Sequence, residues 1–391
     1  MVGWALLADL VPIYPLYALL FADTGLSDAE ISVLFALWSA VGIVAEVPSG
    51  ALADRFGRRP SLAVGALVQA VGYASWVVFP GFLGFAVGFV AWGLGSALAS
   101  GAQEALLHDG LASVGAAEHY ARVQGWVGAA GLIVQVPTAG IATLLFVVGG
   151  YPAAGWVSVV TCVGTAVLAA RLPEPSAAPP VTSSSIDPAD SGTEDADASY
   201  LATLRAGVME VVARPPLLGA VVAFGLLYGL DAFEEYFPLL ARDLQVSTAA
   251  VPTALLVIPL VGAVGAALGG PTNRLGAGAL AVVLAVGAAL LGIAAAVPHP
   301  VALAGVALYY GLYRAVLVVA DARLQERITG PARATVTSVA NVVAELPAFA
   351  VYAAWALGGT AAVTVLVALV AALLPVLLHR RTRTDEPGDS R

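Results

Sequence analysis

Residues 50–60 read GALADRFGRRP and put Asp54, Arg55, Arg58 and Arg59 into one short stretch. The chain around them has 391 residues, of which 60% are hydrophobic and 11% charged. Its mean hydropathy is +0.90, a value ordinary soluble domains do not reach. A charge cluster in so apolar a chain is explained by its flanks. Both are apolar runs of the length that crosses a bilayer, since about 20 residues at 1.5 Å each cover roughly 30 Å of hydrocarbon. Period-two alternation bounded by turns is absent, which argues against a transmembrane barrel. The backbone must then satisfy itself within helices.

Twelve such runs are read: 3–21, 30–50, 60–80, 82–107, 122–148, 151–171, 214–240, 249–270, 277–297, 300–322, 334–356 and 358–379. Connections as short as GGYPAAG (149–155) and LGGT (357–360) fit antiparallel neighbours. Ser27-Asp28-Ala29-Glu30 is a capping-box pattern opening the second run. The first run has no basic leader and no small-residue cleavage site after it, so a retained span is expected. Cys162 is the single cysteine and sits in an apolar run, where a thiol behaves as a small hydrophobe.

The 17 basic residues are all arginine. With the twelve runs in place, fifteen of them fall on one side of the membrane, Arg242 falls on the other, and Arg314 lies within a run. Arginine marks the cytoplasmic side. Both termini and the 50–60 loop are therefore expected inside, in a multi-pass protein of the cytoplasmic membrane. Residues 172–200, rich in Pro, Ser and acids, hold no basic residue. They cannot bury a core and are expected to be disordered. The expected organisation is a six-helix bundle over 1–171, a cytoplasmic linker over 172–213, a second six-helix bundle over 214–379 and a tail over 380–391.

The halves echo one another. GALADRFG (50–57) aligns with GGPTNRLG (269–276), EALLHD (104–109) with DARLQE (321–326), and YPL (14–16) with YFPLL (236–240). Three matches in the same order argue for a duplicated unit. GALADRFGRR also resembles the signature loop G-x-x-x-D-R-x-G-R-R of the major facilitator superfamily, and the resemblance covers essentially the whole chain. It implies an all-α membrane protein, with twelve helices in two pseudo-symmetric bundles that rock about a central site. Within the family the chain looks like a bacterial drug-efflux-like branch. The antiporter signature of the fifth helix is only partly present in GLIVQVPTAGI (131–141), which keeps Pro137 and Gly140 but has Val136 and Ile141 in place of glycines.

The loop then acquires a gating role. Gly50 and Gly57 allow close approach and a tight turn, and Asp54 can accept charge-assisted hydrogen bonds from Arg55, Arg58 or Arg59. The resemblance implies that Asp54 faces the start of the eleventh helix, near Arg333 and Thr335, where a helix N-terminus favours an anion. In the second copy Asn273 replaces the acid and Arg274 keeps the base, so unequal latches are expected.

An ionisable group inside a span costs a few kcal/mol, about 2.5–3.5 on insertion scales, and points to function. Arg314 lies mid-run beside Tyr309, Tyr310 and Tyr313, and needs either a carboxylate or an anionic substrate. Asp231, Glu234 and Glu235 stand at i, i+3 and i+4, on one face of an α-helix. Packed together they cannot all stay ionised cheaply, which suits proton uptake and release; a hydrated position near the outer surface is the alternative. Glu46 and Glu345 each stand two residues before a proline, and Glu345 is ranked first as the neighbour of Arg314. Asp9, Tyr17, Gln135 and Asn341 add polar groups. Glu104 and Asp109 are expected to pair with Arg122, and Trp4, Trp76, Trp156 and Trp355 to anchor span ends at the interface.

No Walker loop, zinc spacing or nucleophile elbow is present, so an enzyme or ATP-driven pump is not expected. No cofactor, metal or nucleic acid is called for. The expected partners are a small-molecule substrate and the lipid bilayer, for a monomer driven by a proton gradient. The leading expectation is proton-coupled antiport, the efflux of an amphipathic compound. The alternatives are a carrier for a sugar or organic acid that uses Arg314, and a non-transporting membrane receptor or scaffold.

Overall fold

A computed structural model of the chain describes residues 1–173, 209, 211–272, 274–328 and 344–378. Among these, all regular structure is helical. The first stretch holds α1 (Val2–Ala8), α2 (Tyr17–Asp23), α3 (Asp28–Phe56), α4 (Arg58–Val78), α5 (Phe82–Ser113) and α6 (Tyr120–Ala169). The second holds α7 (Pro215–Gly229), α8 (Phe237–Asp243), α9 (Val251–Ala254), α10 (Val257–Thr272), α11 (Ala277–Ala296), α12 (Leu303–Arg327) and α13 (Ala348–Leu377). Residues 174–208 and 210 of the proposed linker, Asn273, Arg333, Thr335, Asn341 and the tail lie outside the described residues, as does the side chain of Asp54.

Local chemistry explains several boundaries. The capping box forms as read: the Glu30 amide donates to Ser27 Oγ at 3.3 Å, and the Ser27 amide donates to Glu30 Oε2 at 2.9 Å. Such a cap contributes about 1 kcal/mol. Gly57 alone separates α3 from α4, with φ 96° and ψ 148°. Only glycine takes that conformation without strain. Gly50 has open space where a Cβ would stand, so close approach does not require it here.

Nine helical segments among the described residues are long and apolar enough to cross a membrane, against twelve runs in the sequence. Two of the nine fold back on themselves. In α6 the helix is broken at Gly149 and Gly150. Ile13 donates its amide to Ser158 Oγ while Asp9 lies against Gly131, so both arms of α6 flank one short segment. A straight helix would hold those two contact points about 40 Å apart. In α13 the same break occurs at Gly358 and Gly359. Gly219 of α7 lies against Leu377, and Gly229 of the same helix against Pro347.

Other runs unwind. The first is interrupted over residues 9–16 between α1 and α2, the seventh becomes a 3-10 helix over Leu230–Tyr236, and the eighth breaks at Leu255 and Leu256. Proline stands near each break, at Pro15, Pro238 and Pro252. Backbone groups released this way need partners in hydrocarbon, and Ser158 supplies one to Ile13 at 3.0 Å.

Helices α1 to α6 pack mainly on one another, as do the long helices α7 and α10 to α13, and the sets join where α3 meets α13, α6 meets α9 and α2 meets α8. Among the described residues three polar contacts cross that junction: Tyr236 donates to Ser32 at 2.8 Å, the Ser39 and Tyr352 hydroxyls lie 2.9 Å apart, and Arg242 pairs with Asp23 at 3.4 Å. One large core, containing Phe35, Tyr236, Tyr352 and Trp355, spans both sets. Toward the 50–60 end the cores divide. One contains Trp4, Ala53, Leu62 and Leu106, and the other Leu217, Val221, Leu324 and Ile328. Trp76, Trp355 and Trp4 are buried core residues, not interfacial anchors. Their distance from the run ends could not distinguish the two roles. Trp156 is exposed as expected.

Candidate functional site

Between the two sets lies a cavity of about 790 Å³. The unwound segments line it. From the first set come Asp9 and Tyr14 in the 9–16 break, Tyr17 of α2, Trp92 of α5, and Gln135 and Thr138 of α6. From the second come Asp231, Glu234 and Glu235 in the 3-10 segment, and Tyr310 and Arg314 of α12. The sequence reading of Asp9, Tyr17, Gln135, Asp231, Glu234, Glu235, Tyr310 and Arg314 thus converges on one space. Tyr14, Trp92 and Thr138 were missed. Tyr14 belonged to a motif read only as a repeat mark, and nothing in a sequence tells a cavity-lining Trp from a core one.

Arg314 finds its carboxylate in Asp231 and not in Glu345. Its Nη1 donates to both Asp231 oxygens at 3.4 Å, and the guanidinium lies 5.9 Å from the Tyr310 ring centroid. Tyr310 donates to Asp231 Oδ1 at 3.3 Å, and Tyr313, whose hydroxyl lies 3.2 Å from the same oxygen, shares its one proton with the Leu227 carbonyl at 3.0 Å. Asp231 is therefore ringed by donors and holds the arginine on the cavity wall. The acids do not share a face as an α-helix would arrange them. At three residues per turn Asp231 and Glu234 stack, and Glu235 is turned about a third of the way around. All three still reach the cavity.

Among the described residues four carboxylates and one arginine line this space, and the arginine is paired with Asp231. Aromatic walls complete it. Trp92 stacks on Tyr14 at 5.0 Å and on Phe89 at 5.7 Å, and Tyr17 packs among Phe21, Phe35 and Trp76. Glu46 and Glu345 do not line the cavity. Glu46 is exposed and Glu345 half-buried.

The 50–60 loop is tied to α5. Arg58 pairs with Asp109 and donates to the Ala105 carbonyl at 3.1 Å. Asp109 therefore serves the loop, not Arg122, which instead lies 5.7 Å from the Trp126 ring centroid. Arg55 lies over Phe56, and Arg59 is half-buried in the first turn of α4. In the second set the polarity is reversed: Arg323 of α12 donates to the Leu275 carbonyl in the corresponding loop. Arg274 is exposed there. Arg327 joins helix ends, donating to Pro216 O at 2.6 Å and Leu378 O at 3.3 Å.

Residues 2–352 match the family model described as Major Facilitator Superfamily. Among solved structures the chain is similar to a D-xylose-proton symporter, at 16% identity and TM-score 0.67, over 95% of this chain and 96% of that one. It is similar to a bacterial homolog of the human lysosomal transporter Spinster in an inward-facing, unoccupied conformation, at 18% identity and TM-score 0.66, over 96% and 95%. It is also similar to the human organic anion transporter TETRAN, at 19% identity and TM-score 0.56, over 97% and 98%. At such identities the likeness concerns the fold. No curated protein matches the chain.

Proposed function

Because the chain belongs to the major facilitator superfamily of membrane transporters, we propose that it exports an amphipathic organic cation by alternating access, in exchange for protons. The observation that carries this reading is the composition of the central cavity. It is walled by rings and by four carboxylates, and its one arginine is held by Asp231. In a low-dielectric site such a wall favours a hydrophobic cation over an anion. The same carboxylates offer protons a place to compete with the cation.

In this proposal the chain crosses the membrane twelve times. The folded-back arms of α6 and α13 and the interrupted first segment account for the crossings beyond nine. The two six-helix bundles, the linker over 172–213 and the cytoplasmic termini follow the sequence reading. The junction through residues 23–39 and 236–242 then faces outward, and the described state is closed on that side. Transport of a sugar or organic acid, the alternative, is supported by Arg314 alone. Its charge is already partly offset by Asp231, which weakens its pull on an anion.

Inside-out vesicles carrying the protein, with an imposed proton gradient, test the reading. Protonophore-sensitive uptake of a fluorescent cationic dye, lost in Asp231→Asn or Glu235→Gln, is expected. Uptake of organic anions instead, abolished by Arg314→Gln, refutes it.

A further inference from the structure

A second cavity, of about 370 Å³, lies wholly within the first set of helices and meets the central cavity at Asp9 and Tyr14, which line both. Asp9 stands where α1 ends. Among the described residues its carboxylate makes no hydrogen bond or ion pair, although Asp231 in the other set has an arginine and two tyrosines. Sequence alignment of the two halves, EALLHD on DARLQE, puts Ala97 at the position of Arg314. The first half thus carries the acid without the internal cation. Gly131 makes room for it: a Cβ there would stand 2.7 Å from Asp9 Oδ2.

The wall of this side cavity is rich in acceptors. Ser100 donates to Ala97 O and Thr165 to Thr161 O, so both hydroxyls present lone pairs inward. Gln69 uses its Nε2 on Ser96 Oγ at 3.2 Å and keeps its carbonyl oxygen. Gln124 Oε1 is buried with no partner. The Nε1 of Trp4, a residue 5% exposed, is likewise unpartnered among the described residues, and the side-chain amides of Gln103 and Gln124 add both donors and acceptors to the same wall. Gln124 Oε1 and Trp4 Nε1 both lie beneath the cavity surface, closed to solvent, and a buried polar atom without a partner costs about 1–3 kcal/mol, so each gains by turning toward a polar group held in the cavity. Among the described residues of this wall Asp9 is the single charged group, and one unneutralised carboxylate among neutral polar groups favours a single positive charge that brings N–H donors.

We propose that this side cavity is the subsite for the hydrogen-bonding head of the transported cation, a guanidinium or primary ammonium group, while the apolar body lies against the rings of the central cavity. The proposal rests on the cation reading of the central cavity and adds the chemistry of the head group. A bound head donates to Asp9 and Gln124, and a water joins it to Trp4. Cations without N–H donors use the central cavity alone.

The test compares two probes by competition against a fluorescent amphipathic cation, using the full chain in lipid nanodiscs. Hexylguanidinium carries the donors, and tetraphenylphosphonium carries charge and rings without them. Gln124→Leu removes an acceptor that lines only the side cavity, and Gln103→Leu is the second variant should the first fail to fold. Hexylguanidinium affinity is expected to fall about tenfold in either, as for a lost hydrogen bond to a charged group. Tetraphenylphosphonium affinity should stay within about twofold of the parent, a small change on the same scale. Equal weakening of both probes, or no weakening of hexylguanidinium, overturns the subsite and leaves the cation reading standing. Failure of the unaltered protein to bind either probe overturns the cation reading itself, and the subsite with it.

Discussion

Removing Arg314 separates the transport readings, and its cost can be worked from the site. The guanidinium reaches both Asp231 oxygens at 3.4 Å. Two unit charges at that distance attract by about 5 kcal/mol in an effective dielectric of about 20. Neither side chain is sealed: Arg314 is 32% and Asp231 31% exposed to the cavity. Desolvation and screening therefore bring the net coupling down to about 1–2 kcal/mol. Tyr310 and Tyr313 remain as donors to the acid when the arginine goes, which keeps Arg314→Gln well short of the cost of an uncompensated buried charge. A double-mutant cycle of Arg314→Gln and Asp231→Asn, read by unfolding titrations in mixed micelles, should return that coupling. Arg314→Gln should also retain cation binding, since it leaves the cavity more negative. Additive single variants would refute the pairing. Loss of cation binding with gain of nothing else would refute the electrostatic account of the cavity.

Other expectations concern the joints. Gly57→Ala forces an L-residue to φ 96° and should cost about 1–3 kcal/mol, seen as a lower unfolding midpoint. Tyr236→Phe deletes the buried donor to Ser32, about 1 kcal/mol, and should move the balance of states about fivefold toward opening at that end. Spin labels at Ala29→Cys and Ser247→Cys in a Cys162→Ser background would report it as a larger fraction of long distances, and an unchanged distribution would contradict the latch. Gly131→Ala places a Cβ 2.7 Å from Asp9 Oδ2. The carboxylate must turn away, so hexylguanidinium binding should weaken while the unfolding midpoint holds.

Much of this was legible because some signals are local. The capping box at Ser27 and Glu30, the turn at Gly57 and the reversals at paired glycines each depend on a few adjacent residues. Asp9, Asp231, Glu234 and Glu235 announced the cavity because a carboxylate is costly in hydrocarbon, whereas Glu46 and Glu345, read by the same rule, lie away from it. What stayed hidden was the pairing between helices. Arg314 and Asp231 stand 83 residues apart, and no periodicity selects Asp231 over Glu345. Asp109 went to Arg58 and not Arg122 for the same reason. The 3-10 segment at Leu230–Tyr236 was also illegible, since an apolar run reads alike whether wound at 3.6 or 3.0 residues per turn. The helix-based prediction of one acidic face failed there.

The junction that crosses from Phe35 and Ser39 to Tyr236 and Tyr352 sets an energy scale for the whole cycle. Separating it forfeits two hydroxyl contacts and two ring contacts at about 0.5–1.5 kcal/mol each, with up to about 1 more from the exposed Arg242–Asp23 pair. The sum, about 2–7 kcal/mol, equals a bias of roughly thirtyfold to a hundred thousandfold in favour of the closed end. A carrier so biased would idle in one state. Contacts formed at the 50–60 end in the opposite state must match that sum to within a few RT. On the proposed alternating-access cycle, the charge cluster that first stood out in an apolar chain would act as a counterweight, and its proper measure would be how nearly it cancels the aromatic junction on the far side.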